Sequence, residues 1–247
     1  MGSRFVNAFN FLTVLPLFRA REVGPEEMGR SMAAFPLVGL VLGVIAALLH
    51  LFVTSLFSPL VEGGLLVVFF FWATGGLHMD GVADTVDGMM SGKGRERALE
   101  IMKDSRTGAH GAAAVALAAL LKVAAFSELP YEAKLPSLVV FPVIARGLMP
   151  FMAYGAKYAR PSGGLGALFT EHVKAPTLYI SMVLTLLISL AAGYSGVFAF
   201  FVAWAWVAFL KNRFHSKLGG ITGDTLGFTE ETGEIAALLA MQVFYFF

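Results

Sequence analysis

The sequence predicts an all-α integral membrane protein: a single bundle of about seven transmembrane helices with an N-terminal interfacial or partly inserted helix. Three observations carry this reading. Of 247 residues, 57% are hydrophobic and only 14% charged, where a soluble domain is about one quarter charged. Mean hydropathy is +0.74, and the apolar residues fall in long blocks. The basic residues gather in alternate connections between those blocks.

Taken in order, Phe5–Phe18 is a short apolar stretch before a charged, proline-containing linker, and reads as the interfacial or partly inserted helix. Seven segments then approach the ~20 residues needed to cross hydrocarbon: 32–57, 64–79, 109–127, 136–155, 177–193, 196–210 and 226–247. The second is short as a purely apolar run, so its helix is expected to continue into the aspartates that follow. Glycine and proline inside the segments (Pro36, Gly39, Gly43, Pro142, Gly147, Pro150) are normal where neighbouring helices can satisfy the backbone. No repeat or low-complexity tract divides the chain, and no small-residue cleavage site follows the apolar start. Residues 1–247 are read as one polytopic domain with active-site segments 75–111 and 218–234.

With seven crossings, the connections 19–31, 80–107, 157–176 and 211–225 fall on one side. They hold 14 of the 18 lysines and arginines, against Lys134 alone in the opposite connections. That bias makes the side cytoplasmic. Net charge is only +1, which excludes the basic field of a nucleic-acid binder, and the absence of cysteine excludes disulfides and thiolate chemistry.

The stretch GGLHMDGVADTVDG (75–88) places Asp80, Asp84 and Asp87 at i, i+4 and i+7. On a helix these lie within about 60° of one another. Such a stripe of like charges repels itself unless a cation neutralises it, and carboxylates beside a bilayer are costly to desolvate. An all-oxygen donor set suits a hard ion, Mg²⁺ or else Mn²⁺, whose shell is commonly completed by substrate phosphates. A calcium loop is excluded, because the twelfth residue counted from Asp80 or Asp84 is Ser91 or Arg95 rather than glutamate. A merely solvated helix end is the remaining alternative.

Next, LEIMKDSRTGAHG (99–111) offers what an anionic substrate needs. Lys103 and Arg106 are phosphate-binding candidates, about one turn apart if helical. Asp104 is a further ligand or general base, while His78 and His110 are substrate-contact candidates. The second polar island, LGGITGDTLGFTEETGE (218–234), brings Gly219, Gly220 and Gly223, which allow close backbone approach. It also brings Asp224, Glu231 and Glu234. The loop from Tyr158 to Gly166 adds Arg160.

Together these stretches, with FLTVLP near the start, resemble the cobalamin synthase family, the adenosylcobinamide-GDP ribazoletransferases of corrinoid synthesis. They recur in the family's order along nearly the whole chain. The resemblance implies a multi-helix membrane fold in a prokaryotic inner membrane and Mg²⁺-dependent chemistry. In that chemistry α-ribazole or its 5′-phosphate is joined to adenosylcobinamide-GDP and GMP is released. It implies metal ligation by Asp80, Asp84 and Asp87, with Lys103, Asp104, Arg106 and Asp224 catalytic. His78, His110, Arg160, Gly219, Gly220, Gly223, Glu231 and Glu234 would contact substrate. A metal-bound carboxylate is a poor proton acceptor, so Asp104 or Asp224 is expected to be the base rather than Asp84. Phe228 departs from the small residue expected after Gly227.

Two other enzyme classes use aspartate-rich Mg²⁺–diphosphate sites. CDP-alcohol phosphotransferases continue Asp-Gly-x-x-Ala-Arg, whereas Asp87-Gly88 here leads to Met-Met-Ser-Gly. Prenyltransferases lack the KDSR and TGD stretches. A cation transporter would place its acids at mid-membrane rather than at helix ends. Expected partners are the two small substrates and membrane lipid, with no nucleic acid. A homo-oligomer or contact with other corrinoid enzymes is left open.

Overall fold

A computed structural model describes residues 1–19, 22–161 and 163–246. Its regular elements are helical: α1 (Gly2–Leu12), α2 (Pro25–Ser31), a 3₁₀ turn (Met32–Ala34), α3 (Phe35–Val53), α4 (Pro59–Ala73), α5 (Leu77–Met90), α6 (Arg95–Ile101), α7 (Ala109–Ser127), α8 (Tyr131–Ala153), α9 (Leu165–His172), α10 (Ala175–Ala191), α11 (Gly193–Leu218) and α12 (Gly223–Phe246). The protein is a multi-pass, all-α membrane protein. By length and apolar composition four described helices can cross a bilayer, Pro25–Val53, Ala109–Ser127, Tyr131–Ala153 and Gly193–Leu218. Two bent pairs, α4 with α5 and α9 with α10, raise the number to six. The count expected from sequence was about seven. The difference is α12, whose Glu230, Glu231 and Glu234 are buried against partners inside the bundle.

Small residues let the helices close. α3 runs against α8, and a Cβ on Gly43 would come within 2.6 Å of the Val139 carbonyl oxygen. Phe70, Phe126 and Phe141 from α4, α7 and α8 form an edge-to-face cluster, with centroids 5.0 Å (Phe70–Phe141) and 5.4 Å (Phe126–Phe141) apart. α1 ends at Leu12, short of the expected Phe18, because the chain turns before Pro16. Phe18 then folds back onto Phe9, edge to face at 5.4 Å.

The second span does not continue straight into the aspartates. At its end Gly76 donates to Phe71 O (2.9 Å) and Gly75 to Trp72 O (3.0 Å), with Gly75 at φ 61° and Gly76 at φ 73°. This double closure is a Schellman stop, which only glycine enters without strain. α5 restarts at 91° to α4, so the aspartate face is carried on a separate helix.

The connections expected on one side do meet at one end. Arg95 donates to Ala159 O (3.3 Å) and Arg160 to Met102 O (3.1 Å). Lys174 reaches Glu26 at 3.5 Å. Arg21, also counted on this side, lies outside the described residues. At the other end Glu62 binds His50 (2.7 Å) and Lys134 (3.3 Å), all three buried.

Candidate active site

The site forms where α5 crosses α12. A Cβ on Gly81 would lie 2.6 Å from Asp224 O and 3.0 Å from Gly227 Cα. Only the absence of side chains lets the backbones touch, and that contact brings the first aspartates of α5 beside Asp224. Asp84 is within electrostatic reach of Asp80, Asp87, Asp224 and Arg160. Among the described residues the Asp80 and Asp84 carboxylates form no hydrogen bond or ion pair, so both are available to a ligand.

Two loops build the opposite wall. Ala159 N donates to Ile221 O (2.8 Å) and Ile221 N to Lys157 O (2.9 Å), an isolated parallel bridge between the loop after α8 and the loop before α12. Arg160 and Asp224 are ion-paired beside it, and the Thr222 hydroxyl donates to Asp224 at 3.2 Å. Gly166 passes so close to Gly223 that a Cβ on it would be 2.6 Å from Gly223 N. These residues enclose a cavity of about 260 Å³ whose walls also include Phe11, Tyr158, Phe169 and Asp80. A broader, open cleft of about 830 Å³ adjoins it between α1, the α4–α5 break and α7. Phe11, Leu77 and Asp80 line both.

Asp87 shares the face of Asp80 and Asp84 but has another task. Its two carboxylate oxygens accept from Gly108 N (2.6 Å) and Gly111 N (2.8 Å), capping the N-terminus of α7. A side chain on Gly111 would strike Asp87. Of the three aspartates expected to bind metal, Asp87 accepts from two backbone amides, while the Asp80 and Asp84 side chains lie beside Asp224 with no such partner among the described residues.

Lys103 and Arg106 lie in an irregular turn, not on a helix. Arg106 is exposed and forks onto Asp104, Nε to Oδ1 at 3.1 Å and an Nη to Oδ2 at 2.7 Å. The guanidinium, with the Arg106 backbone amide, holds the Asp104 carboxyl at about 2, far below the usual carboxylate range. So held, Asp104 is a weak proton acceptor, and it lines neither recess. His110 is exposed in the first turn of α7.

Four further candidates, Glu231, Glu234, Gly219 and Gly220, line neither recess. Glu231 and Glu234 each meet Lys122 Nζ at 2.5 Å in the interior. Arg146 binds Glu234 (2.6 Å) and Glu230 (2.7 Å). His78 lines the cavity, and its Nδ1 lies 2.6 Å from Glu230, an ionic contact not aligned as a hydrogen bond. Gly219 ends α11 in the left-handed region at φ 72°. Gly220 lets the chain pass the Lys157 carbonyl. Of the three glycines, Gly223 lines the cavity. Phe228 packs on Phe214 at 5.9 Å, on the side facing α11, and leaves the cavity's shape alone.

The sequence reading did not single out Phe11, Phe169, Lys122, Arg146 or Glu230. A lysine and an arginine inside apolar segments were the available signal, since intramembrane charges need partners. Among the described residues the set whose ligand atoms converge within 4.8 Å is His78, Glu230 and Glu231. Lys122 and Arg146 lie against those glutamates, while neither Glu230 oxygen has a hydrogen-bond partner. Asp80 and Asp84 offer hard oxygen ligands without competitors, which fits Mg²⁺ completed by substrate phosphate.

Residues 4–242 match the family model of cobalamin-5-phosphate synthase. The chain belongs to this family. It is 38% identical to the adenosylcobinamide-GDP ribazoletransferase of Pseudomonas paraeruginosa, over 95% of each chain. It is 38% identical to that of Syntrophobacter fumaroxidans, over 99% of this chain and 100% of the relative. The Escherichia coli O17:K52:H18 enzyme is 35% identical over 98% and 100%. No solved structure matches. Family membership disfavours the CDP-alcohol, prenyl-transfer and transporter readings.

Proposed function

We propose that this protein joins α-ribazole, or its 5′-phosphate, to adenosylcobinamide-GDP and releases GMP, at the cytoplasmic face of a prokaryotic inner membrane. The observation that carries the reading is the pairing of two unpartnered carboxylates, Asp80 and Asp84, with the Arg160–Asp224 wall opposite them, in a chain of this family. The basic bias of the connections at that end supports the cytoplasmic orientation.

A ribose hydroxyl forms a bond to the corrinoid-side phosphorus while the bond from that phosphorus to the oxygen bridging it to GMP breaks. Asp80 and Asp84 would hold Mg²⁺, which supplies charge neutralisation at the diphosphate. Asp224 is the residue placed to take the hydroxyl proton. It is released for that role when Arg160 turns from it to a phosphate oxygen, exchanging one anionic partner for another. Lys103 and Arg106 stand on the outer turn, where they attract the departing nucleotide.

The test is direct. Purified protein in detergent, given adenosylcobinamide-GDP, α-ribazole and Mg²⁺, is expected to yield adenosylcobalamin and equimolar GMP. CDP-activated lipids and prenyl diphosphates are expected to yield nothing. Transfer of a phosphatidyl or prenyl group with the corrinoid untouched would overturn the reading.

A further inference from the structure

We propose that the two adjoining recesses divide the substrates, the enclosed cavity lodging the benzimidazole of α-ribazole and the open cleft the corrinoid, with Asp80 at the partition. This rests on the function proposed above and assigns its subsites.

Size makes the first division. The cavity of about 260 Å³ is on the scale of a bicyclic base, whereas a corrin macrocycle with its amide arms needs the broader cleft of about 830 Å³. The cleft is also open, as a substrate far larger than a nucleoside requires. Asn10 and Thr107, which line it, offer hydrogen-bond groups to peripheral amides, while Val14, Phe71 and Val115 offer apolar contact to the ring.

Polarity decides which nucleoside takes the cavity. Two are present in the reaction, α-ribazole and the guanosine of the leaving group. Phe11, Leu77, Met149, Phe169 and Leu226 make most of the wall apolar. The polar groups are Tyr158, Arg160, Asp80, Asp224 and His78; Arg160 and Asp224 are paired with each other, and His78 Nδ1 faces Glu230 at 2.6 Å. A guanine would bury a carbonyl, a ring N–H and an amino group against aromatic and aliphatic side chains, each a loss unless partnered. A dimethylbenzimidazole has no exocyclic polar group and gains from aromatic faces. With its ring there, the ribose points to the edge where Asp224 and Asp80 stand. Asp80 lines both recesses, so the phosphorus linking the two substrates lies at their junction.

The absence of cysteine gives clean single-thiol reporters. Gly223→Cys places one in the cavity, where a Cβ meets nothing nearer than 3.7 Å. Ala112→Cys places one in the cleft, at an exposed position. α-Ribazole alone is expected to abolish maleimide labelling at Gly223→Cys and leave Ala112→Cys reactive. Adenosylcobinamide-GDP is expected to abolish labelling at Ala112→Cys, and GMP to abolish neither. As a second readout, Phe169→Leu is expected to raise the KM for α-ribazole about tenfold, as loss of one aromatic face implies, with the corrinoid KM unchanged. Protection in the opposite pattern, or of both positions by α-ribazole, while the wild type turns over, overturns the division alone. Protection of neither position by either substrate, with no turnover, overturns the functional reading with it.

Discussion

The Arg160 guanidinium and the Asp224 carboxylate pair across the seam between two loops, and both stand on the wall of one cavity. The proposed role of Asp224 as base, in a carboxylate paired with a cation, makes a clear demand on mutants. Asp224→Asn is expected to lower kcat by about 10²–10⁴, the usual worth of a positioned base, with α-ribazole binding retained. Arg160→Lys keeps the charge but loses the fork, and is expected to lower kcat as well. Steady-state kinetics with equilibrium binding of α-ribazole checks both. Wild-type kcat in Asp224→Asn would move the base elsewhere.

Asp104 is expected to behave differently. Its carboxyl is held at about 2 by Arg106, so it is ionised at every pH above that value, and the pair is lost only as pH falls through it. The acidic limb of the pH–rate profile therefore belongs to another group. Asp104→Asn is expected to leave that limb in place, and a shift of it in this variant would restore Asp104 as the base.

The α5 aspartates separate into two kinds. Asp80→Asn and Asp84→Asn are expected to abolish turnover or raise the Mg²⁺ requirement while leaving melting unchanged, because each removes one charge from a repulsive pair. Asp87→Asn is expected to cost about 1–2 kcal/mol of stability, since an amide cannot accept at both ends of the α7 cap. Thermal melting beside a Mg²⁺ titration distinguishes them, and equal melting in all three variants would contradict the capping role.

Lys122 is enclosed by Glu231 and Glu234 at 2.5 Å. Lys122→Met strands buried carboxylates and is expected to cost about 3–5 kcal/mol. Adding Glu231→Gln should recover part of the loss, because the charges are coupled. Thermal melting of the single and double variants measures the coupling; additive losses would argue against it.

Thiol labelling in oriented vesicles tests topology. Cysteines at Ser91 and Ser216 are expected to react from the cytoplasmic face and one at Ser58 from the opposite face. Reaction of Ser91→Cys and Ser216→Cys from opposite faces would break the shared site.

Local spacing made the aspartate face legible, because i, i+4 and i+7 fix a helical stripe whatever surrounds it. The side of the chain on which the loops gather was legible from arginine and lysine placement. The capping role of Asp87 was not, since its partners are backbone amides more than 20 residues away, exposed by Gly108 and Gly111. Nor was the fate of Glu231 and Glu234. Their spacing marks one helix face, but only the packing of α7 and α8 reveals the cations waiting there. The break at Gly75–Gly76 was written in the sequence as a glycine pair, yet the apolar run before it suggested continuity.

The glutamates of α12 bear on how the chain enters the bilayer. Alone in lipid, this helix would present Glu230, Glu231 and Glu234 to hydrocarbon, and acidic residues at a helix centre cost about 2.5–3.5 kcal/mol each. Their counter-charges, Lys122 and Arg146, belong to α7 and α8, which leave the ribosome earlier. The last helix is thus a guest that needs its hosts already seated. Fused alone behind a leader peptide it is expected to fail a membrane-insertion assay, and to insert when α7 and α8 precede it.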